Sequence, residues 1–355
     1  MRRVLINQAD ITQISMDSID SASVSRGQAK VQLKRFALTA NNVTYAAAAD
    51  MIGYWKFFPS GAEGQGLLPV WGFADVVESR SDALDVGARL YGFFPLSEEL
   101  VIDPQPLGKT GILDAAAHRA NLPEIYNQYA LVKAGDADHE RLRALLQPLL
   151  ATSYVLSDWL VDNDHFGADQ IIIGSASSKT GLGLCKFLDA LDVRPKNIVG
   201  LTSAGNADFV RALGACDQVI TYDAIDTLKT RPSVYVDMSG NARVKTELHS
   251  HLADVLKHSC AVGTSHWDQF KPRQDLAGPK PEFFFAPSQI VKRRKDWGTG
   301  VIEKKIGDAW QGIAAQAGSW LDVKTHHGLH AAMPVYDALA RGHASPRDGH
   351  VIELA

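Results

Sequence analysis

"IIIGSASSKTGLG", residues 171–183, sets a run of β-branched residues against a loop of small ones, and the loop runs on into an apolar-periodic segment. That is the outline of a turn between a buried strand and a helix, where backbone N–H groups and a helix N-terminus gather around an anion. Two kinds of phosphate loop compete for it. A nucleoside-triphosphate loop needs G-x-x-x-x-G-K-[ST]. Here four residues separate Gly174 from Lys179, and none is the second glycine. A dinucleotide loop needs small residues for a tight turn and a glycine where the helix packs on the strand. Gly181 fills that last position, Ser175 and Ser178 take the earlier glycine positions, and Lys179 adds a positive charge. Ser177 and Thr180 complete the candidate loop, whose hydroxyls would donate to phosphate oxygens. The third alternative is a small-residue turn that binds nothing.

The surroundings favour the dinucleotide. "QIIIG", "NIVGLT", "DQVITY", "SVYVDMSG" and "CAVGTS" read as strands. "GLCKFLDAL" reads as a helix with Leu184, Phe187, Leu188 and Leu191 on one face, and "NADFVRALGA" as a helix closed by Gly214. Alternation of helices with continuously apolar strands predicts a parallel sheet covered on both faces. An NAD site carries Asp or Glu about 20 residues past the glycines, to hold the ribose 2′-hydroxyl. In "GLTSAGNADFVRA" no carboxylate comes before Asp208; Thr202, Ser203 and Asn206 are neutral donors, and Arg211 follows one turn on. That end suits a 2′-phosphate and predicts NADP(H) rather than NAD(H).

Upstream, "HERLRALLQPLLATSYVLSDWLVD" is helical, with a break expected near Pro148. Residues 1 to 130 read as β-rich. "VQLKRFALTA" puts Val31, Leu33 and Arg35 on one face, and "LLPVWGFADVVES" and "ARLYGFFPL" are further strands. "DGHVIEL" ends the chain as a strand.

With 355 residues there is room for two cores, and 46% hydrophobic with 21% charged residues is an ordinary globular balance. The net charge of -4 argues against nucleic acid as a partner. Cys185, Cys216 and Cys260 are far apart in sequence, which speaks against a disulfide framework and fits a reducing, cytoplasmic compartment. Asp10 and Gln13 interrupt the N-terminal stretch "MRRVLINQADITQ", which argues against a signal peptide. No stretch approaches the roughly 18 apolar residues of a membrane span, so no membrane partner is expected.

The order of these pieces resembles the medium-chain dehydrogenase/reductase superfamily, closest to its zinc-free quinone and enoyl reductase branch. "LLPVWGFADVVES" followed by "LDVGARLYGFFP" looks like that family's "VGDRVYG"-type hairpin, and "RALGACDQVITYDA" like its "R-A-L-G-A-D-x-V-I-x-Y" segment. "VYVDMSGN" is similar to its cofactor-flanking strand, and "ALARGHASPRDGHVIEL" to its closing helix and strand. "SASSKTGLG" and "YNQY" also look like a subgroup of the superfamily that is described as a domain of unknown function. The resemblance implies an α/β fold: a Rossmann-type doubly wound parallel sheet at 136–309, plus a β-rich GroES-like domain from 1–135 and 310–355. It implies a homodimer, and cofactor contacts at Tyr222, Ser239, Gly263 and Phe285 besides the loop and the second strand end.

The departures shape the chemistry. Where the zinc enzymes hold Cys, His and Glu, this sequence has Asn42, Trp71 and Gly72, so no metal is predicted. An acceptor that delocalises its own charge, an activated double bond or quinone, fits such a site, as does a small apolar or aromatic substrate. Tyr45 and Tyr54 are candidate proton donors, or else packed tyrosines with satisfied hydroxyls. Asn42 either bonds substrate or ribose, or caps its helix. His326 and His330 have helical i, i+4 spacing without the Glu of a metalloprotease helix. The alternative to a reductase is a NADPH-binding sensor or regulatory module without turnover, suggested by the two missing glycines.

Overall fold

Three consecutive isoleucines leave a strand no polar side, and none is needed. Ile171, Ile172 and Ile173 are fully buried in the strand Gln170–Gly174, inside a six-stranded parallel sheet. The computed structural model describes residues 1–263 and 275–355. The sheet runs Gln218–Thr221, Asn197–Thr202, Gln170–Gly174, Ser233–Asp237, Leu256–Ala261, Glu282–Phe283, and every adjacent pair is parallel. Winding reverses between Gln170–Gly174 and Ser233–Asp237, and a crevice lies beyond the strand ends at such a reversal. Ile172 and Tyr235 pack with Val244, Leu248 and Leu252 of the helix Ala242–Leu252. Ile171 and Ile173 point the other way and are equally buried, so both faces are covered. Of the expected strand "CAVGTS", Cys260 and Ala261 end the strand Leu256–Ala261, while Thr264 and Ser265 lie outside the described residues.

The chain forms two compact units, Met1–Leu145 with Asp322–Ala355, and Leu146–Leu321. These divisions fall later in the chain than the sequence boundaries at 135 and 309. The helix Ala137–Asp162 leads from one into the other, and it does not break at Pro148. A helix-interior proline costs about 3 kcal/mol. Leu145, Leu146, Leu149 and Leu150 around it are all buried, at ~2 kcal/mol each, and that stripe wins. The helix is also long and apolar enough to pass for a membrane span, contrary to the sequence reading, but 56% of its most apolar window is buried within the protein. That is the condition of a core helix.

The first unit is built on a nine-stranded sheet, with Ala29–Leu38 between Asp348–Glu353 and Pro69–Ser79, and Arg89–Pro95 next in order. A separate three-stranded sheet joins Ile14–Ser18, Arg2–Asn7 and Gln65–Leu67. Val31 and Leu33 face inward as the alternation requires. The register then slips between Leu33 and Arg35, as a bulge does. Phe36 is therefore buried, while Arg35 meets Glu140 at 3.3 Å. The strand Asp322–His327 carries His326, so His326 and His330 share no helix; His326 Nε2 lies 3.1 Å from His350 Nδ1 on the neighbouring strand.

Candidate functional site

At the carboxyl end of Gln170–Gly174 the chain turns sharply. A Cβ on Gly174 would stand 2.7 Å from the Tyr235 hydroxyl oxygen, so the fourth strand demands glycine there. Ser175 follows with φ +52°, a left-handed conformation unfavourable to a side chain. The turn is closed by Ser178 N donating to Ser175 O at 2.9 Å, and Ala176 N anchors it to Leu201 O at 3.1 Å. Ser178 caps the helix Lys179–Asp189: its Oγ accepts from Gly181 N at 3.1 Å and donates to Ser175 O at 2.7 Å. A Cβ on Gly181 would lie 2.5 Å from Ser175 O and 3.0 Å from Ala176 Cα. The glycine thus lets the helix start press against the loop backbone, as a dinucleotide turn requires. Lys179 and Thr180 open the helix half-exposed, and the Thr180 carbonyl accepts from Ser153 Oγ at 2.8 Å.

The second strand is tied to this loop by side chains. Thr202 Oγ1 donates to Ser177 Oγ at 3.1 Å, and Asn206 Nδ2 reaches the same oxygen at 3.3 Å. Ser203, half-exposed, leads the short turn Ala204–Asn206. Arg211 is exposed and pairs with Asp208 at 2.7 Å. The Tyr222 hydroxyl hydrogen-bonds with Ser175, and burial pushes its pKa up to about 12. Ser175, Ser177, Ser178, Gly181, Thr202, Asn206 and Tyr222 thus come together around one turn.

At the fourth strand end the buried Asp237 carboxylate accepts from Ser239 N, Ser239 Oγ and Gly240 N, each at 2.9 Å. Ser239 is fully buried, and its hydroxyl serves this turn. Gly263 N donates to the Asp237 carbonyl at 3.2 Å, and a Cβ on Gly263 would lie 2.5 Å from Met238 O. Phe285, half-buried, precedes the helix Ala286–Trp297 and stacks near Phe283, centroids 6.4 Å apart. Sequence reasoning missed the organising role of Asp237, although Asp followed by Ser-Gly is a side-chain-to-backbone turn signal.

The tyrosine candidates of the first unit share one aromatic cluster. Tyr45 and Tyr54 have centroids 4.4 Å apart, and Phe93 packs edge-on against Tyr45 at 5.6 Å. The Tyr45 hydroxyl accepts from Trp71 Nε1 at 3.2 Å. The Tyr54 and Tyr126 hydroxyls meet at 3.1 Å. Burial raises the pKa of all three tyrosines, so each holds its proton at neutral pH. Trp71 and Tyr126 are half-exposed while Tyr45 and Tyr54 are buried. Asn42 stands apart from this chemistry. Its Oδ1 accepts from Thr39 N at 2.8 Å, completing a capping box, and its Nδ2 donates to Pro69 O at 2.9 Å. Of the two roles open to it in the sequence, the cap is the one its side chain performs. Among the described residues no three His, Cys, Asp or Glu side chains gather as a metal site.

This architecture recurs in solved structures. CurA from Vibrio vulnificus, in complex with NADPH, matches with a TM-score of 0.63 at 12% identity, covering 100% of this chain and 99% of its own. YhdH of E. coli K-12 with bound NADPH matches at 0.57 and 12% identity, covering 99% of each chain. A mutant enoyl thioester reductase from Candida tropicalis matches at 0.55 and 13% identity, again covering 99% of each. At these identities the likeness is one of fold: a Rossmann-type parallel sheet plus a β-rich GroES-like domain, the fold expected from the sequence. No curated protein matches the sequence. A family model described as "Protein of unknown function (DUF2855)" matches residues 36–345, and the chain belongs to that family.

Proposed function

We propose that the protein is a NADP(H)-dependent oxidoreductase that passes a hydride to an activated double bond or a quinone without zinc. The observation that carries this reading is the loop Gly174–Gly181, a left-handed turn pressed against a glycine at the start of a helix, at the winding reversal of a parallel sheet. The residues fit a dinucleotide: the loop leads into a helix N-terminus, whose dipole favours an anion, Lys179 is beside it, and the second strand ends in Thr202, Ser203 and Asn206 rather than a carboxylate. That neutral end supports NADP(H) over NAD(H). CurA in complex with NADPH and YhdH with bound NADPH support the same choice.

The cofactor, when bound, supplies the hydride. The chain's own part is to orient rings, exclude water and hold a proton. We assign the cofactor to the Leu146–Leu321 unit and the substrate to the unit with the aromatic cluster. Within that cluster we assign the transferable proton to the Tyr54–Tyr126 hydroxyl pair, whose Tyr126 end is half-exposed; Tyr45, bound to Trp71, shapes the wall. Asn42 is left a structural role. Trp71 and Tyr126 favour a small apolar or aromatic substrate. We read the protein as cytoplasmic and homodimeric, through the edge strand Glu282–Phe283, where Phe283 is 49% exposed. The test is NADPH oxidation, followed by loss of nicotinamide absorbance, across a panel of enones and quinones. Turnover with any member supports the reading. Tight NADPH binding with no turnover across the panel would favour a sensor instead.

A further inference from the structure

Trp71, Phe73, Tyr91 and Phe93 share one face of the nine-stranded sheet. Trp71 pairs with Phe93, and Phe73 with Tyr91, across the antiparallel strands Pro69–Ser79 and Arg89–Pro95, and side chains opposite each other or two apart on a strand point the same way. Phe73, Tyr91 and Phe93 are buried, whereas Trp71 is half-exposed. Trp71 links two groups of different chemistry. Its ring centroid lies 6.3 Å from that of Tyr126, one of the hydroxyl pair to which the transferable proton is assigned. It also lies 5.9 Å from that of Tyr91, and over Tyr91 sits a cation. The half-exposed Arg143 of the helix Ala137–Asp162 has its guanidinium carbon 4.1 Å from the Tyr91 centroid and 6.0 Å from that of Phe73. Its carbonyl accepts from the Tyr91 hydroxyl at 3.4 Å, so the tyrosine that carries the guanidinium also ties down its backbone. Arg89, 5.8 Å over the same Phe73, is built into the fold instead: it donates to Asp75 and to Glu140, each at 2.9 Å. Arg143, Tyr91, Trp71 and Tyr126 all belong to the first unit.

We propose that Arg143 receives a carboxylate of the substrate, so that the hydride acceptor is an enone or quinone bearing an acidic group, its ring laid on Trp71 and its reacting end toward Tyr126. The proposal rests on the assignment of the substrate to this unit and deepens it by naming the charge the substrate carries. A guanidinium stacked on a ring presents its face to that ring, while its donors lie in its own plane and take a carboxylate side by side. The stacking on Tyr91 fixes that plane before a ligand arrives, so little order is lost on binding. Burial lowers the Arg143 pKa, yet the group stays charged at neutral pH. Partly out of water, it attracts an anion more strongly than a guanidinium in bulk solvent does. A neutral substrate of the same shape gains the aromatic contacts and forgoes this one.

The test titrates two probes by calorimetry into the full chain without cofactor: benzalacetone bearing a para-carboxylate, and the same enone bearing a para-carboxamide. The wild type is expected to bind the carboxylate at least ~10-fold more tightly. Arg143→Gln is expected to bind the two alike. Arg143→Lys keeps the charge without the planar fork and retains part of the preference, so it decides the matter if the glutamine variant does not fold. In turnover with NADPH, Arg143→Gln raises KM for the carboxylate and not for the carboxamide. A carboxylate preference without any NADPH oxidation would support the anion site and contradict only the reductase reading. Equal affinity of the wild type for the two probes, binding of neither, or a preference undiminished in a folded Arg143 variant would each overturn the proposal.

Discussion

Gly181 carries a sharper constraint than its neighbours, because what a side chain would meet there is backbone. With Ser175 O only 2.5 Å from the added Cβ, the loop cannot yield without losing the turn that Ser178 caps. Gly181→Ala is expected to leave the protein folded, at a cost of about 1–3 kcal/mol, and to weaken NADPH binding at least ~10-fold, or ~1.4 kcal/mol. Nicotinamide fluorescence titration measures this, and unchanged affinity in a folded variant would count against the loop as the phosphate site. Gly181 was legible in the sequence because its role is local: a glycine one turn into a helix that follows a strand. The reason for Gly174 was not, since it comes from Tyr235, a residue of a strand far along the chain. Ser175 shows the same limit. The sequence presents it as a substitute for glycine, and only the backbone reveals that it keeps the left-handed conformation with a side chain attached.

The helix Ala40–Ala47 is where an element depends on one side chain at both ends of its reach. Asn42 satisfies the Thr39 N–H and, through Nδ2, the Pro69 carbonyl. Asn42→Ala is expected to lower stability by roughly 2 kcal/mol, a lost cap together with a buried carbonyl left unpaired, with NADPH affinity unchanged. Urea unfolding reads the first and titration the second; lost affinity at full stability would return Asn42 to the binding site. Asn42 was readable in advance as a cap or a substrate contact, since both use the same residue type; the box with Thr39 was not. Other elements were misread for reasons of the same kind. The bulge after Leu33 is set by pairing with a strand that Val31 and Leu33 cannot reveal. The unbroken helix at Pro148 follows from burial of leucines on either side, a tertiary gain that outweighs a local preference.

Over the whole molecule, buried phenols set an alkaline limit. Burial raises Tyr45, Tyr54, Tyr91, Tyr126 and Tyr129 in the first unit and Tyr222 and Tyr235 in the second, Tyr129 and Tyr222 to about 12. In the unfolded chain tyrosines ionise near pH ~10. The unfolded state therefore releases protons first, and stability holds below pH ~10 and falls as pH rises toward the folded values. The urea midpoint is expected to be level up to that point and to drop steeply beyond it; a level profile through pH ~12 would contradict the burial of these hydroxyls. At this scale the sequence was informative about order, because strand–helix alternation and the position of a small-residue loop survive without any tertiary knowledge. It was silent on which side chains meet, since the aromatic cluster gathers residues from Tyr45 to Tyr126. The central claim, that the parallel-sheet unit holds NADP(H), is tested most directly by titrating the purified protein with NADPH and with NADH and following nicotinamide fluorescence. The account predicts saturable binding of NADPH at least ~10-fold tighter than NADH; binding of neither, or a preference for NADH, would contradict it.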